Sequence, residues 1–306
     1  MLLPSQIQIK KHKEYSGHTA AIYKLIAGYN PNTFISAGGD GLVAVWNLLE
    51  DNIGNAIAKS ASSIFSVCKI PGTSLIALGQ LSGALQIFDT ETHSIIIDIT
   101  QSPHIIFDIT VNEKYLIASS GNGNVFVFDI SNFQLLHTIV LSEKSIRCLQ
   151  IINESMYAGA SDNYLYKISL HDFSFEKIET PHSNSIFSLA YIPTTHQLIS
   201  GSRDAQLGII NLNDETHSMR LIPAHLNTIN HIAYCAGNSI MATASRDKSI
   251  RLWNAEDFTL LKVIDTKYEA HKNSVNNVFW TADFKYLISC GDDRRIIQWQ
   301  ILIDNK

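Results

Sequence analysis

Cysteine, charge and long apolar runs are all scarce in this sequence, and each scarcity closes off a class of protein. The four cysteines, Cys68, Cys148, Cys235 and Cys290, lie far apart with no C-x-x-C pair. Neither a zinc ribbon nor a disulfide framework is indicated, which predicts a reducing compartment and a cytoplasmic location. Charged residues are only 17% of the 306, with Lys+Arg 23 against Asp+Glu 28. A net charge of −5 argues against a broad nucleic-acid footprint. The one basic cluster, Lys10, Lys11 and Lys13, is short and offset by Glu14. No apolar run approaches the ~18 residues of a membrane span, and the opening MLLPSQIQIKK lacks the order of a signal peptide. Apolar residues nevertheless reach 45%, ample for a core, so disorder is excluded as well.

What the sequence does have is repetition. Residues 242–254, ATASRDKSIRLWN, and 288–300, ISCGDDRRIIQWQ, share an Asp six residues before a Trp: Asp247 and Trp253, Asp293 and Trp299. Near the N-terminus ISAGGDGLVAVWN repeats the spacing with Asp40 and Trp46. His18, His225 and His271 each stand 28 residues before their tryptophan. Four weaker copies lie between, with Phe88, Phe128, Ile168 and Ile210 at the Trp position and Ser60, Ser102, Ser142 and His182 at the His position. The ladder 46, 88, 128, 168, 210, 253, 299 fills the chain and leaves no room for a second domain.

Within each copy, short runs rich in Ile, Leu, Val and Phe alternate with Gly, Asn and Asp turns, which predicts four strands per copy and almost no helix. The Gly-His dipeptide at Gly17-His18, the Asp turn and the W-N or W-Q ending resemble those of the WD-repeat β-propeller family. The resemblance covers essentially the whole chain, specific in copies one, six and seven, moderate in five and weak in two to four. It implies an all-β, seven-bladed propeller over residues 1–306. The chain stops soon after Trp299, in the third strand of copy seven. IQIKKHKEYSGH aligns with LLKVIDTKYEAH ahead of the seventh His, so residues about 5–13 are expected to supply the missing outer strand and close the ring.

Four copies combine the residue types of a hydrolase triad: Ser36, His18 and Asp40; Ser200, His182 and Asp204; Thr243, His225 and Asp247; Ser289, His271 and Asp293. One chain has no use for four nucleophiles, and no G-x-S-x-G elbow accompanies any of them. The resemblance implies instead a buried hydrogen-bond chain running from Asp through His to Ser or Thr and the indole of Trp46, Trp253 or Trp299; in copy five Ile210 removes the indole. No P-loop, H-E-x-x-H or paired Cys/His spacing occurs, so the reading expects no enzyme, no cofactor and no metal.

The family's channel face supplies the functional expectation. Five residues after each repeat His stand Tyr23, Phe65, Phe107, Arg147, Phe187, Asn230 and Asn276, an aromatic arc broken only by Arg147. The third-after positions are small apart from Ile105. Before the Asp come Arg203, Arg246 and Asp292, with Gly39, Gly121 and Ser161; copy two reads as one residue longer here, leaving Gln80 and Leu81 as alternatives. Aromatic and Arg residues around a concavity are what hot spots are made of. The expectation is a scaffold, monomeric or one subunit of a larger complex, that binds a protein or peptide partner through an apolar anchor and a carboxylate or phosphate on Arg147, Arg203 and Arg246. Neither nucleic acid nor membrane is expected to bind. The alternatives are rings that merely plug the channel, rings that grip an arginine or methyl-lysine cation, and an enzyme site inside the channel.

Overall fold

The computed structural model describes residues 4–50, 54–214 and 216–303. They form seven antiparallel four-stranded sheets, and the inner strands of neighbouring blades touch in an unbroken cycle, blade 7 against blade 1. The inner strands are Ile22–Ala27, Ile64–Lys69, Ile106–Val111, Ile146–Ile152, Ile186–Ile192, Ile229–Cys235 and Val275–Trp280. Two one-turn 3-10 segments, Pro4–Gln6 and Thr266–Tyr268, are the only helical elements among the described residues. No helix there is long and apolar enough to cross a membrane.

Burial explains the sequence pattern strand by strand. The second strand of each blade lies between two neighbouring sheets and is covered on both faces. Tyr286–Gly291 and Tyr115–Ser120, for example, are buried from their second residue onward. Such strands read as continuous apolar runs, YLISC or YLIAS, rather than as alternation. Fourth strands lie at the rim, and Ser94–Thr100 and Leu135–Val140 are largely exposed.

Closure uses the N-terminus. Ile7–Tyr15 pairs antiparallel with Ile296–Ile303, from Ile7 opposite Ile303 to Tyr15 opposite Ile296. The strand lies two residues later than the expected 5–13, because Pro4–Gln6 turns before it and Tyr15 extends the pairing. Tyr15 is buried and donates its hydroxyl to Gln298 Oε1 at 2.7 Å. At the seam Arg295 grips Glu14 with two nitrogens, Nε to Oε1 at 2.6 Å and Nη2 to Oε2 at 2.5 Å. That bidentate hydrogen bond, helped by Lys11 and opposed by burial, lowers the Glu14 carboxyl to about 2.

Candidate functional site

One backbone irregularity recurs in all seven blades and builds the site. Between the first and second strands the register shifts at one residue: Ile22/Lys24, Ile64/Ser66, Ile106/Asp108, Ile146/Cys148, Ile186/Ser188, Ile229/His231 and Val275/Asn277. The residue skipped each time is Tyr23, Phe65, Phe107, Arg147, Phe187, Asn230 or Asn276. A β-bulge re-aims the side chain of its extra residue. All seven consequently line one cavity of about 670 Å³ along the channel.

The aromatic arc is continuous. Tyr23 stacks on Phe65 with centroids 4.2 Å apart and planes 10° from parallel. Phe65 meets Phe107 edge to face at 6.2 Å. The Arg147 guanidinium carbon then sits 4.1 Å from the Phe107 centroid and 4.8 Å from that of Phe187, and Nε donates to Ser161 Oγ at 2.9 Å. Arg147 therefore bridges the arc that it breaks in sequence. Burial and the neighbouring Arg203 charge both lower its pKa. The rings are half-buried.

The rim residues lie outside this cavity lining. Arg203, Arg246 and Asp292 are exposed, and Ile105 is half-buried. Each pre-Asp residue donates its N–H to the carbonyl of a third-after residue at 2.7–3.0 Å, for instance Arg203 to Ser185, Arg246 to Thr228 and Asp292 to Ser274. Leu81 makes this bond to Ser63. Blade 2 therefore has the same three-residue turn as blade 1, with no extra residue, and Leu81 rather than Gln80 holds the rim position, half exposed. On blade 7 Asn276 donates to Asp292 Oδ1 of the same blade at 2.7 Å and to Ile22 O of blade 1 at 3.0 Å. Asn230 donates to Val275 O at 2.8 Å. On blades 6 and 7 the mouth positions thus stitch neighbouring blades together. Burial, and secondarily Asp292, raise the Tyr23 phenol.

The triad-like sets lie away from the cavity. His18 Nδ1 is 2.9 Å from Asp40 Oδ2, Nε2 is 2.7 Å from Ser36 Oγ, and Trp46 Nε1 donates to that oxygen at 2.7 Å. The chain recurs through Asp247, His225, Thr243 and Trp253, and through Asp293, His271, Ser289 and Trp299. An ionised Asp sets the tautomer, so Nδ1–H donates to it and Nε2 accepts the hydroxyl proton. Ser36, Thr243 and Ser289 are wholly buried, and each hydroxyl is engaged by both its histidine and its tryptophan. Burial would raise each Asp, but N–H groups and the His ring outweigh it and hold Asp40, Asp204 and Asp293 below the ordinary carboxylate range. In blade 5 His182 contacts Asp204 at 2.9 Å and Ser200 at 2.8 Å. Met219 sulfur comes within 3.9 Å of Ser200 Oγ where the indole is missing. A Cβ on Gly208 would collide with Met219, Ser200 and His182.

Sequence reasoning missed two polar sets. In blade 4 Asp162 accepts from Ser142 Oγ and from the Tyr166 hydroxyl, each at 2.7 Å. A tyrosine two residues before the Trp position thus replaces the indole, and a serine replaces the histidine. Inside the channel, Lys24 Nζ on blade 1 reaches Asp108 Oδ1 on blade 3 at 2.8 Å, while Asp108 Oδ2 accepts the Leu149 N–H of blade 4 at 3.0 Å. Cys148 and His231 share that cavity. Burial pushes the Cys148 thiol up, and burial with the Lys24 charge lowers His231 to about 3, leaving it neutral near pH 7. The missed signal was positional: all four stand directly after the bulge residue. Among the described residues no three His, Cys, Asp or Glu side chains are grouped to hold a metal ion.

Comparison with known proteins gives a consistent result. Residues 9–47, 174–211, 216–254 and 262–300 match the WD40 family, described as "WD domain, G-beta repeat", and together span just over half of the chain. The first match begins in the closing strand and ends in the third strand of blade 1; blades 2 and 3 and the inner three strands of blade 4 go unmatched. Protein tipD of Dictyostelium discoideum is 25% identical over 98% of this chain and 49% of its own length. Protein groucho of Drosophila melanogaster is 21% identical over 89% of this chain and 38% of its own. A probable cytosolic iron-sulfur protein assembly protein 1 of Kluyveromyces lactis is 26% identical over 42% of each. The chain thus spans about half or less of these curated relatives. The crystal structure of the WD40 β-propeller domain of Doa1 superposes with a TM-score of 0.84 over 96% of this chain and 97% of that one, at 14% identity.

Proposed function

The chain belongs to the WD-repeat family, and from that premise we propose that its channel mouth binds an extended segment of a partner protein. WD-repeat relatives serve varied roles, often as interaction or assembly scaffolds, and a general interaction-module role follows for this chain. The finer reading rests on one observation. Arg147, held between Phe107 and Phe187, preorganises a five-member arc, so a partner's apolar side chain meets rings already fixed in place. Preorganised anchors lower the ordering cost of association.

The exposed arginines next to the arc, Arg203 and Arg246, are the groups left to receive a partner carboxylate or phosphate; Arg147 is engaged in its own stacking. The same engagement disfavours the cation-gripping alternative, since Arg147 already fills the space between two rings. The channel-enzyme alternative has little chemical support. Lys24 and Asp108 satisfy each other, His231 is neutral, and the Cys148 thiol is held protonated. A cytoplasmic location is part of the proposal, supported by the relative named as cytosolic.

Affinity capture with the wild type beside the Phe65→Ala/Phe107→Ala and Arg203→Glu variants tests the reading. Partners lost from both variants, with melting temperatures near the wild-type value, support it. Partners retained by both would move the interface elsewhere.

A further inference from the structure

Exposed apolar side chains are concentrated on the rim of three consecutive blades. On the outer strands Ser94–Thr100, Leu135–Val140 and Phe175–Ile178, the residues Ile95, Ile96, Leu135, Leu136, Val140 and Phe175 are 37–66% exposed. Ile95, Leu135 and Phe175 hold equivalent positions, opposite the Trp-position residues Phe88, Phe128 and Ile168. In blade 6 the matching pair is split, with Leu260 exposed and Leu261 buried. The outer strands of blades 2 and 3 also contain no Lys, Arg or Pro, the residues that normally protect a rim strand. All the other outer strands carry at least one.

Charge singles out the same blades. Residues 84–180 hold twelve Asp and Glu against five Lys and Arg, a net −7, while the whole chain is −5, so everything else sums to +2. Setting aside Asp108, Asp162 and Arg147, which serve the channel or the upper turns, ten acids face four bases. Exposed on or beside the outer strands are Glu91, Asp98, Glu176 and Glu179 against Lys177.

We infer that the outer wall of blades 2 to 4 is a second docking surface, and that it takes a basic amphipathic helix of a partner protein. Its acidic character excludes nucleic acid and anionic membrane by like-charge repulsion and selects a cationic partner. Strand addition fits poorly. Ile96 and Leu136 are skipped in the pairing with their own third strands, and such bulges twist an edge away from a new strand. The bulges instead leave apolar knobs, Ile96 and Leu136, exposed on two blades, and a helix long enough to lie across both can meet them with apolar residues several turns apart on one face. This inference is independent of the mouth.

The probe is a fluorescent synthetic amphipathic helix of leucine and lysine, with a leucine–glutamate helix and neutral phosphatidylcholine vesicles in parallel. Saturable, salt-sensitive binding of the leucine–lysine helix is expected, with photocrosslinks on blades 2 to 4. Ile96→Ser/Leu136→Ser and Glu91→Lys/Glu176→Lys should each weaken it by about tenfold or more. Phe65→Ala/Phe107→Ala, at the mouth, should bind like the wild type. Matching circular dichroism and melting temperatures show that the wall variants are folded. No saturable binding, equal binding of the leucine–glutamate helix, indifference to both wall variants, or preference for the vesicles would each overturn the inference.

Discussion

The Arg147 guanidinium carbon sits over the Phe107 ring, 4.1 Å from its centroid, although the two residues come from neighbouring blades and are forty residues apart. A cation over an aromatic face gains about 0.5–2 kcal/mol, more as water is excluded. The contact therefore adds rigidity at the mouth as well as filling it.

Arg147→Ala should cost about 1–2 kcal/mol in urea denaturation, through lost stacking on two rings. Arg203→Ala, on the exposed rim, should stay within about 0.5 kcal/mol. Equal costs would mean that the Arg147 contacts contribute nothing.

The half-buried rings differ from the core ones in the same measurement. Phe34, wholly buried and stacked on Trp46 at 6.2 Å, should lose roughly 3–5 kcal/mol on Phe34→Ala. Phe65→Ala should lose less than about 2 kcal/mol, having less surface to expose. A Phe65→Ala cost as large as that of Phe34→Ala would favour the channel-plug reading.

The seam should be pH-sensitive. Arg295 holds the Glu14 carboxyl at about 2 against an ordinary 4.5. A depressed acid contributes stability above its unfolded pKa and loses it as pH falls through its folded one. The gap in melting temperature between the wild type and Glu14→Gln should therefore be full at pH 7 and shrink between about pH 4.5 and 2. A constant gap across that range would show that the ion pair does not stabilise closure. Removing residues 1–13 altogether should strip the third strand of blade 7 of its partner and lead to aggregation, visible by light scattering.

The polar networks make a double-mutant prediction. Asp293→Ala leaves His271 without its acceptor and should cost about 1–3 kcal/mol. Asp162→Ala should fall in the same range, because it orphans the Ser142 and buried Tyr166 hydroxyls. Adding Tyr166→Phe to Asp162→Ala removes one orphan, so the pair should cost less than the sum of the single changes. Strict additivity would contradict the hydrogen bond.

The amino-acid order alone determined the number of blades, the four-strand pattern and the participants in the Asp–His–Ser/Thr–Trp chains. Those features repeat at fixed short spacing, since each network lies within one blade and its residues are held apart by hairpins of nearly constant length. Even the ring's closure was legible, because IQIKKHKEYSGH, ending at His18, resembles the fourth-strand segment LLKVIDTKYEAH that ends at His271, and the first of these pairs with Ile296–Ile303. Tertiary structure alone decided the rest. The clamp on Arg147 and the ion pair between Lys24 and Asp108 join side chains from different blades. Their meeting depends on how far each bulge rotates a strand and on how the closed ring turns one blade toward the next. Sequence spacing carries no record of either angle. The Tyr166–Asp162 bond escaped for a related reason: strand pleat places a side chain two residues before the Trp position on the same face as the Trp, yet only the packed sheet shows that its hydroxyl reaches the carboxylate.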